Sequence, residues 1–124
     1  MAFLFVEVIF LDKTHTVKKS QDFSNIIHNS NYVKNDSYVI YYSLNNIDNY
    51  RFGISISKKL GNAVNRNKYK RQLRSIIDMY KKNYQNNMDY IIIIRNGYVG
   101  RNFESKKEDF ICLINKINNK IKEI

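Results

Sequence analysis

The residues with the plainest chemistry are cations. Lys58, Lys59, Arg66, Lys68, Lys70, Arg71 and Arg74 place seven positive charges in seventeen residues, with no acid among them. The 14 Lys and Arg outside this stretch face 11 acids, so most of the net charge of +10 sits in one segment. If the segment is helical, Arg66, Lys70 and Arg74 stand at i, i+4 and i+8 in a row, with Asn67 and Arg71 beside it and Lys68 nearer the opposite side. Like charges at that spacing destabilise an isolated helix by a few tenths of a kcal/mol per pair. A purely structural surface would intersperse Glu or Asp. The pattern therefore points to a face that meets phosphates. Neutralising roughly 6 to 8 phosphates would weaken binding by about three orders of magnitude between ~50 and ~200 mM salt.

The segment just before it points to a strand surface. Tyr50, Phe52, Ile54 and Ile56 alternate with Arg51, Gly53, Ser55 and Ser57, a period of two with one apolar face. The other face carries small and polar side chains. That suits a surface on which a single nucleic acid strand lies with its bases stacked on aromatics such as Phe23 and Tyr41. Charge alone leaves DNA open, but the paired short helices of a helix-turn-helix are lacking.

Residues for autonomous catalysis are scarce. His15 and His28 are isolated, and the acids are scattered, with Glu108 and Asp109 adjacent on one late helix. A two-metal nuclease needs several convergent carboxylates, which none of these spacings offers. Cys112 is the only cysteine, so neither an intramolecular disulfide nor a cysteine-based metal site can form, and a reducing cytoplasmic setting fits best. The Gly97-x-x-Gly100 segment reads as a loop.

The elements that position these residues follow from pattern. At 124 residues with 44% hydrophobic side chains the chain fits one domain. Met1–Leu11 is almost wholly apolar, yet it lacks the features of a signal peptide and is too short to span a bilayer. It reads either as an extra strand or, preferred here, as an extension (1–16) preceding a domain that runs over 17–124. Ser20 caps a short helix carrying Phe23, Ile26 and Ile27. Tyr38–Leu44 and Tyr50–Ser57 read as strands. Asn62 caps a helix from Ala63 to about Lys82, with Tyr69, Leu73, Ile76, Ile77 and Tyr80 as its apolar stripe. Asp89–Arg95 reads as a buried strand. Phe103 to Lys122 reads as a last helix with Phe110, Leu113, Ile114, Ile117 and Ile121 on one face. The order is helix, two or three strands, helix, strand, helix: an α/β (α+β) two-layer sandwich with helices packed on one sheet.

Two pieces of this sequence are specific. Arg51-Phe52-Gly53-Ile54-Ser55-Ile56-Ser57-Lys58-Lys59-Leu60-Gly61-Asn62-Ala63-Val64, followed by Arg66-Asn67-Lys68-x-Lys70-Arg71-x-x-Arg74, resembles the signature of the bacterial ribonuclease P protein subunit family. Asp22-Phe23 and Asp89-Tyr90 resemble the family at the flanks, and the likeness covers roughly Val17 to Lys122. Two positions depart from the pattern. Lys68 stands for an arginine, which keeps charge but loses the planar fork, and Ile27 stands where a second aromatic is expected in the first helix.

The resemblance implies a ribosomal protein S5 domain 2-like fold, order αβββαβα, with a left-handed βαβ crossover that physical rules alone would not propose. It implies a protein that binds a catalytic RNA and the 5′ leader of precursor tRNA, while the RNA performs the Mg²⁺-dependent cleavage that removes the leader. The metal would be bound mainly by that RNA. No side chain of the protein would be catalytic or metal-ligating, and neither a membrane nor a protein partner would be required. By carry-over, Arg66, Asn67, Lys68, Lys70, Arg71 and Arg74 would face the catalytic RNA. Phe23, Ile27, Tyr41, Ser55 and Ser57 would line the leader cleft, with Lys58 and Lys59 at its edge. Two other readings are a ribosomal or assembly RNA-binding module on the same fold and a protein-only nuclease.

Overall fold

The computed structural model describes the backbone of residues 6–9 and, in full, residues 31–46, 49–85 and 87–122. The strands are β1 (Val6–Ile9), β2 (Asn31–Lys34), β3 (Tyr38–Leu44), β4 (Arg51–Ser57) and β5 (Met88–Ile94). They form one sheet in the order β1-β4-β5-β3-β2. β4 and β5 are parallel, and the other three pairings are antiparallel. Helix α1 (Ala63–Met79) links β4 to β5, the parallel connection being too long for a turn. A single helical turn α2 (Asn96–Val99) and helix α3 (Phe103–Lys122) follow.

The period-two pattern decides which side of the sheet is core. Tyr38, Ile40 and Tyr42 of β3, Phe52, Ile54 and Ile56 of β4, and Tyr90, Ile92 and Ile94 of β5 belong to one buried cluster. Tyr69, Leu73, Ile76 and Ile77 of α1 and Phe110, Leu113, Ile114 and Ile117 of α3 complete it. Both helices therefore pack on the same sheet face, as expected for two layers. Aromatic geometry fixes the middle: Phe52 stacks on Tyr90 at 4.7 Å and 13°, and Tyr84 meets Phe52 edge-on at 4.7 Å. Ile91 is also buried but points to the opposite face, which explains why the Ile run is continuous instead of alternating.

The Ser-Lys-Lys-Leu-Gly-Asn run is the joint between β4 and α1. The Ser57 hydroxyl accepts from the Lys59 N–H at 3.2 Å, opening a 3-10 turn over Lys58–Leu60. Gly61 then takes φ +148°, where a side chain is strained. Asn62 caps α1 through a 2.9 Å bond from the Asn65 N–H to its Oδ1.

Three expectations change. Val6–Ile9 is a strand on the β4 edge, pairing Val6 with Ser57 and Ile9 with Ile54, which is the extra-strand reading of that part of the apolar N-terminus. The Gly97 region is a helical turn, not a loop. A Cβ on Gly97 would run into the Asp36 carbonyl, and this close approach explains the glycine. Asn31–Lys34 is a strand, where sequence pattern suggested only a helix end at Asn31. The helix expected from Ser20 lies outside the described residues.

Candidate nucleic-acid interface

Helix α1 carries its apolar stripe inward, which leaves its cations on the outer faces. Asn67, Lys70, Arg71 and Arg74, at i, i+3, i+4 and i+7, line a shallow concavity of about 200 Å³. Asn67, Lys68, Arg71 and Arg74 are exposed and Lys70 half-buried. There is no acidic residue in the first turn of α1. The positive end of the helix dipole and the cations thus add, which favours an anion near the N-terminal half.

Arg66 is placed differently from the exposed row that its spacing suggests. It is 9% exposed, and its Nε donates to the Asn62 carbonyl at 3.4 Å. The guanidinium folds back over the capping turn, and Asn67 takes its place in the stripe.

Behind α1 sits a buried cation with no counterpart in the sequence reading. Lys106 of α3 is 4% exposed. Its Nζ donates to Gln72 Oε1 at 3.0 Å and lies 4.3 Å from the Tyr98 ring centroid and 5.3 Å from that of Tyr69. The Tyr98 hydroxyl, 3.0 Å from both the Tyr69 carbonyl and Gln72 Oε1, joins the same cluster. Burial, and then the charge of Lys68, holds the Lys106 pKa below its ordinary value. The signal was present: Lys106 precedes Phe110 and Leu113 by four and seven residues, on the apolar face of α3.

The sheet face opposite the core carries the second group. Register aligns Tyr32 with Tyr41, Tyr41 with Ile91, and Ile91 with Gly53, making one row across four strands. Ser55, paired with Ile93, lies in the adjacent row. Tyr41, Ser55 and Ser57 thus share one face, and exposed Lys58 and Lys59 follow in the turn that leads to α1. Tyr41 is buried, which raises its hydroxyl pKa, with Tyr32 adding to the shift. Ser55 is 0% exposed and its Oγ has no hydrogen-bond partner. Tyr41 and Ser55 are therefore floor, and Ser57, Lys58 and Lys59 are rim. Phe23 and Ile27 lie outside the described residues.

One end of this face is fixed by charge. Asp89, 4% exposed, accepts from Arg51 Nε at 2.8 Å and from its second nitrogen at 2.7 Å. Asn45 Nδ2 donates to the same carboxylate at 2.9 Å and to the Asn49 carbonyl at 3.0 Å, tying the β3–β4 loop to β5. Asp109, half of the one adjacent acid pair, takes the Ser37 hydroxyl at 2.5 Å and lies 3.4 Å from Arg101 Nε. Among the described residues no group of three or more His, Cys, Asp or Glu could hold a metal ion. Nor, among these residues, is any helix long and apolar enough to cross a membrane.

The comparisons with known proteins agree with this fold. The Ribonuclease P family model matches residues 11–118. The ribonuclease P protein component of Syntrophomonas wolfei is 35% identical over 106 residues, 86% of this chain and 89% of the relative. That of Mesoplasma florum is 40% identical over 99 residues, 79% of this chain and 90% of the relative. Among solved structures, the Staphylococcus aureus RNase P protein superposes with a TM-score of 0.77 at 34% identity, covering 85% of this chain and 96% of that one. The Thermotoga maritima RNase P protein gives 0.76 at 25% identity, covering 82% and 96%. β1 precedes the matched segment, so the strand on the β4 edge stands outside the family pattern. The chain belongs to the ribonuclease P protein component family.

Proposed function

We propose that this chain serves in the cytoplasm as the protein subunit of ribonuclease P, binding the catalytic RNA with one surface and the 5′ leader of precursor tRNA with another. Asn67, Lys68, Lys70, Arg71 and Arg74 meet phosphates of the catalytic RNA, and Arg66 shapes the start of that helix. The leader takes the side of the sheet whose floor is Tyr41 and Ser55, with Ser57, Lys58 and Lys59 at its rim; the family resemblance assigns Phe23 and Ile27 to the same cleft. Hydrolysis of the phosphodiester belongs to the RNA, and the Mg²⁺ it needs is held there. The side chains of this protein bind and orient. The observation that carries this reading is the joint at Ser57–Gly61, which runs the polar sheet face directly into the cationic helix.

The test is stimulation of cleavage. Purified protein added to the catalytic RNA at low Mg²⁺ should raise cleavage of leader-bearing precursor, and protein without RNA should cleave nothing. No stimulation at any Mg²⁺ level would sink the proposal, and cleavage by RNA-free protein would replace it with a protein nuclease.

A further inference from the structure

Strand β2 presents an aromatic and a cation that neither the carried-over motif nor the helix face accounts for. Val33 faces the core, so Tyr32 and Lys34, two residues apart, project from the opposite face. Tyr32 is 51% exposed. It is the cross-strand partner of Tyr41, and the two rings lie 5.6 Å apart at 43°. Lys34 is exposed beside it. A single exposed aromatic needs no explanation by itself. This one continues the row of the leader face, is oriented by a buried ring, and stands next to a cation. An aromatic face with an adjacent positive charge is how single-stranded nucleic acid is bound without base readout.

We infer that Tyr32 is a stacking platform for one base of the leader, with Lys34 meeting the neighbouring phosphate. The inference rests on the proposed leader-binding function and adds a site to it. It also supplies an aromatic to a chain that has Ile27 where the family pattern has one. Tyr32 lies three strand spacings from β4, about 14 Å across the sheet. A leader that enters at the Ser57–Lys59 rim must therefore span the width of β5 and β3 before it reaches Tyr32. Short leaders do not touch it.

The experiment uses holoenzyme reconstituted with the catalytic RNA and precursors whose leaders are shortened stepwise from the 5′ end. Tyr32→Ala should weaken binding of long-leader precursor about fivefold to tenfold, the lower part of the range for one stacked base, and leave the shortest leaders and mature tRNA unchanged. Tyr32→Phe should bind like the parent. Tyr32→Leu, which keeps apolar bulk on Tyr41 but has no ring, should lose as much as Tyr32→Ala. Lys34→Gln should lose less and only at low salt. If wild type discriminates by leader length but Tyr32→Ala and Tyr32→Leu match it at every length, the platform is refuted while leader binding stands. A loss that is equal at all lengths would make Tyr32 a packing residue, which also overturns the inference. Wild type indifferent to the leader would overturn the proposed function itself.

Discussion

The two regions assigned to RNA in the proposed function differ in how they hold charge. On α1 the cations stand in a row with no acid in the first turn, and the helix dipole adds to them. On the sheet face the arginine of β4 is engaged by the buried Asp89 carboxylate through two short bonds; Tyr41, Ser55 and Ile91 are buried, and this face presents exposed Tyr32 and the Ser57–Lys59 rim. The helix offers electrostatic attraction that any phosphate backbone satisfies. The sheet offers shape, ring faces and a cationic rim. In the proposed function the first supplies affinity for the catalytic RNA and the second discriminates precursor from mature tRNA.

Substitutions can separate the two. The largest effect should come from Lys70→Ala, Arg71→Ala and Arg74→Ala combined. Affinity for the catalytic RNA should fall by about two orders of magnitude near ~0.1 M salt, and the slope of log affinity against log salt should shrink by about 2 to 3. The preference for precursor over mature tRNA should survive. Asp89→Ala should act on the other region, removing the bidentate acceptor of Arg51 and the anchor of the 45–49 loop. Because Arg51 is partly exposed, we expect about 2–3 kcal/mol of lost stability in urea unfolding, below the full cost of breaking a buried pair.

Alkaline pH probes the core that both regions share. Burial pushes the Tyr90 hydroxyl from 10 up to about 12. With the folded pKa above the unfolded one, its contribution is fully present below pH 10 and is lost as pH rises toward 12. Tyr38, Tyr84 and Tyr98 are raised in the same direction, also chiefly by burial. Lys106 is lowered and opposes them, but it is one group against four. Stability measured by thermal unfolding should therefore drop steeply between pH 10 and 12. The smallest effect should come from Lys106→Met. It keeps bulk between Tyr69 and Tyr98 and removes a buried charge, so stability should change by less than about 1 kcal/mol. Affinity for the catalytic RNA should weaken by about twofold, because one cation behind α1 is gone.

Much of this was legible because it is local. The alternation through Phe52, Ile54 and Ile56, the Asn62 cap and the apolar spacing on both long helices each report one element. The Ser57–Asn62 joint is legible for the same reason, since its bonds span two or three residues. What escaped depends on partners far apart in sequence. Tyr32 gains meaning only from its register with Tyr41, and β2 was hidden inside an asparagine-rich run. The Arg51–Asp89 pair joins residues 38 apart. Arg66 fits an exposed row by spacing alone, but its side chain turns back to its own cap. The Val6–Ile9 strand is four residues inside a run that is apolar but for Glu7, too short for its period to mark it off, and only the edge of β4 gives it a place.

The most direct test is a salt titration of reconstituted holoenzyme that follows two quantities together: protein affinity for the catalytic RNA and the ratio of precursor to mature tRNA affinity. The division of labour between helix and sheet predicts that the first falls steeply with salt while the second stays within about twofold. A ratio that collapses in parallel with the catalytic-RNA affinity would contradict it.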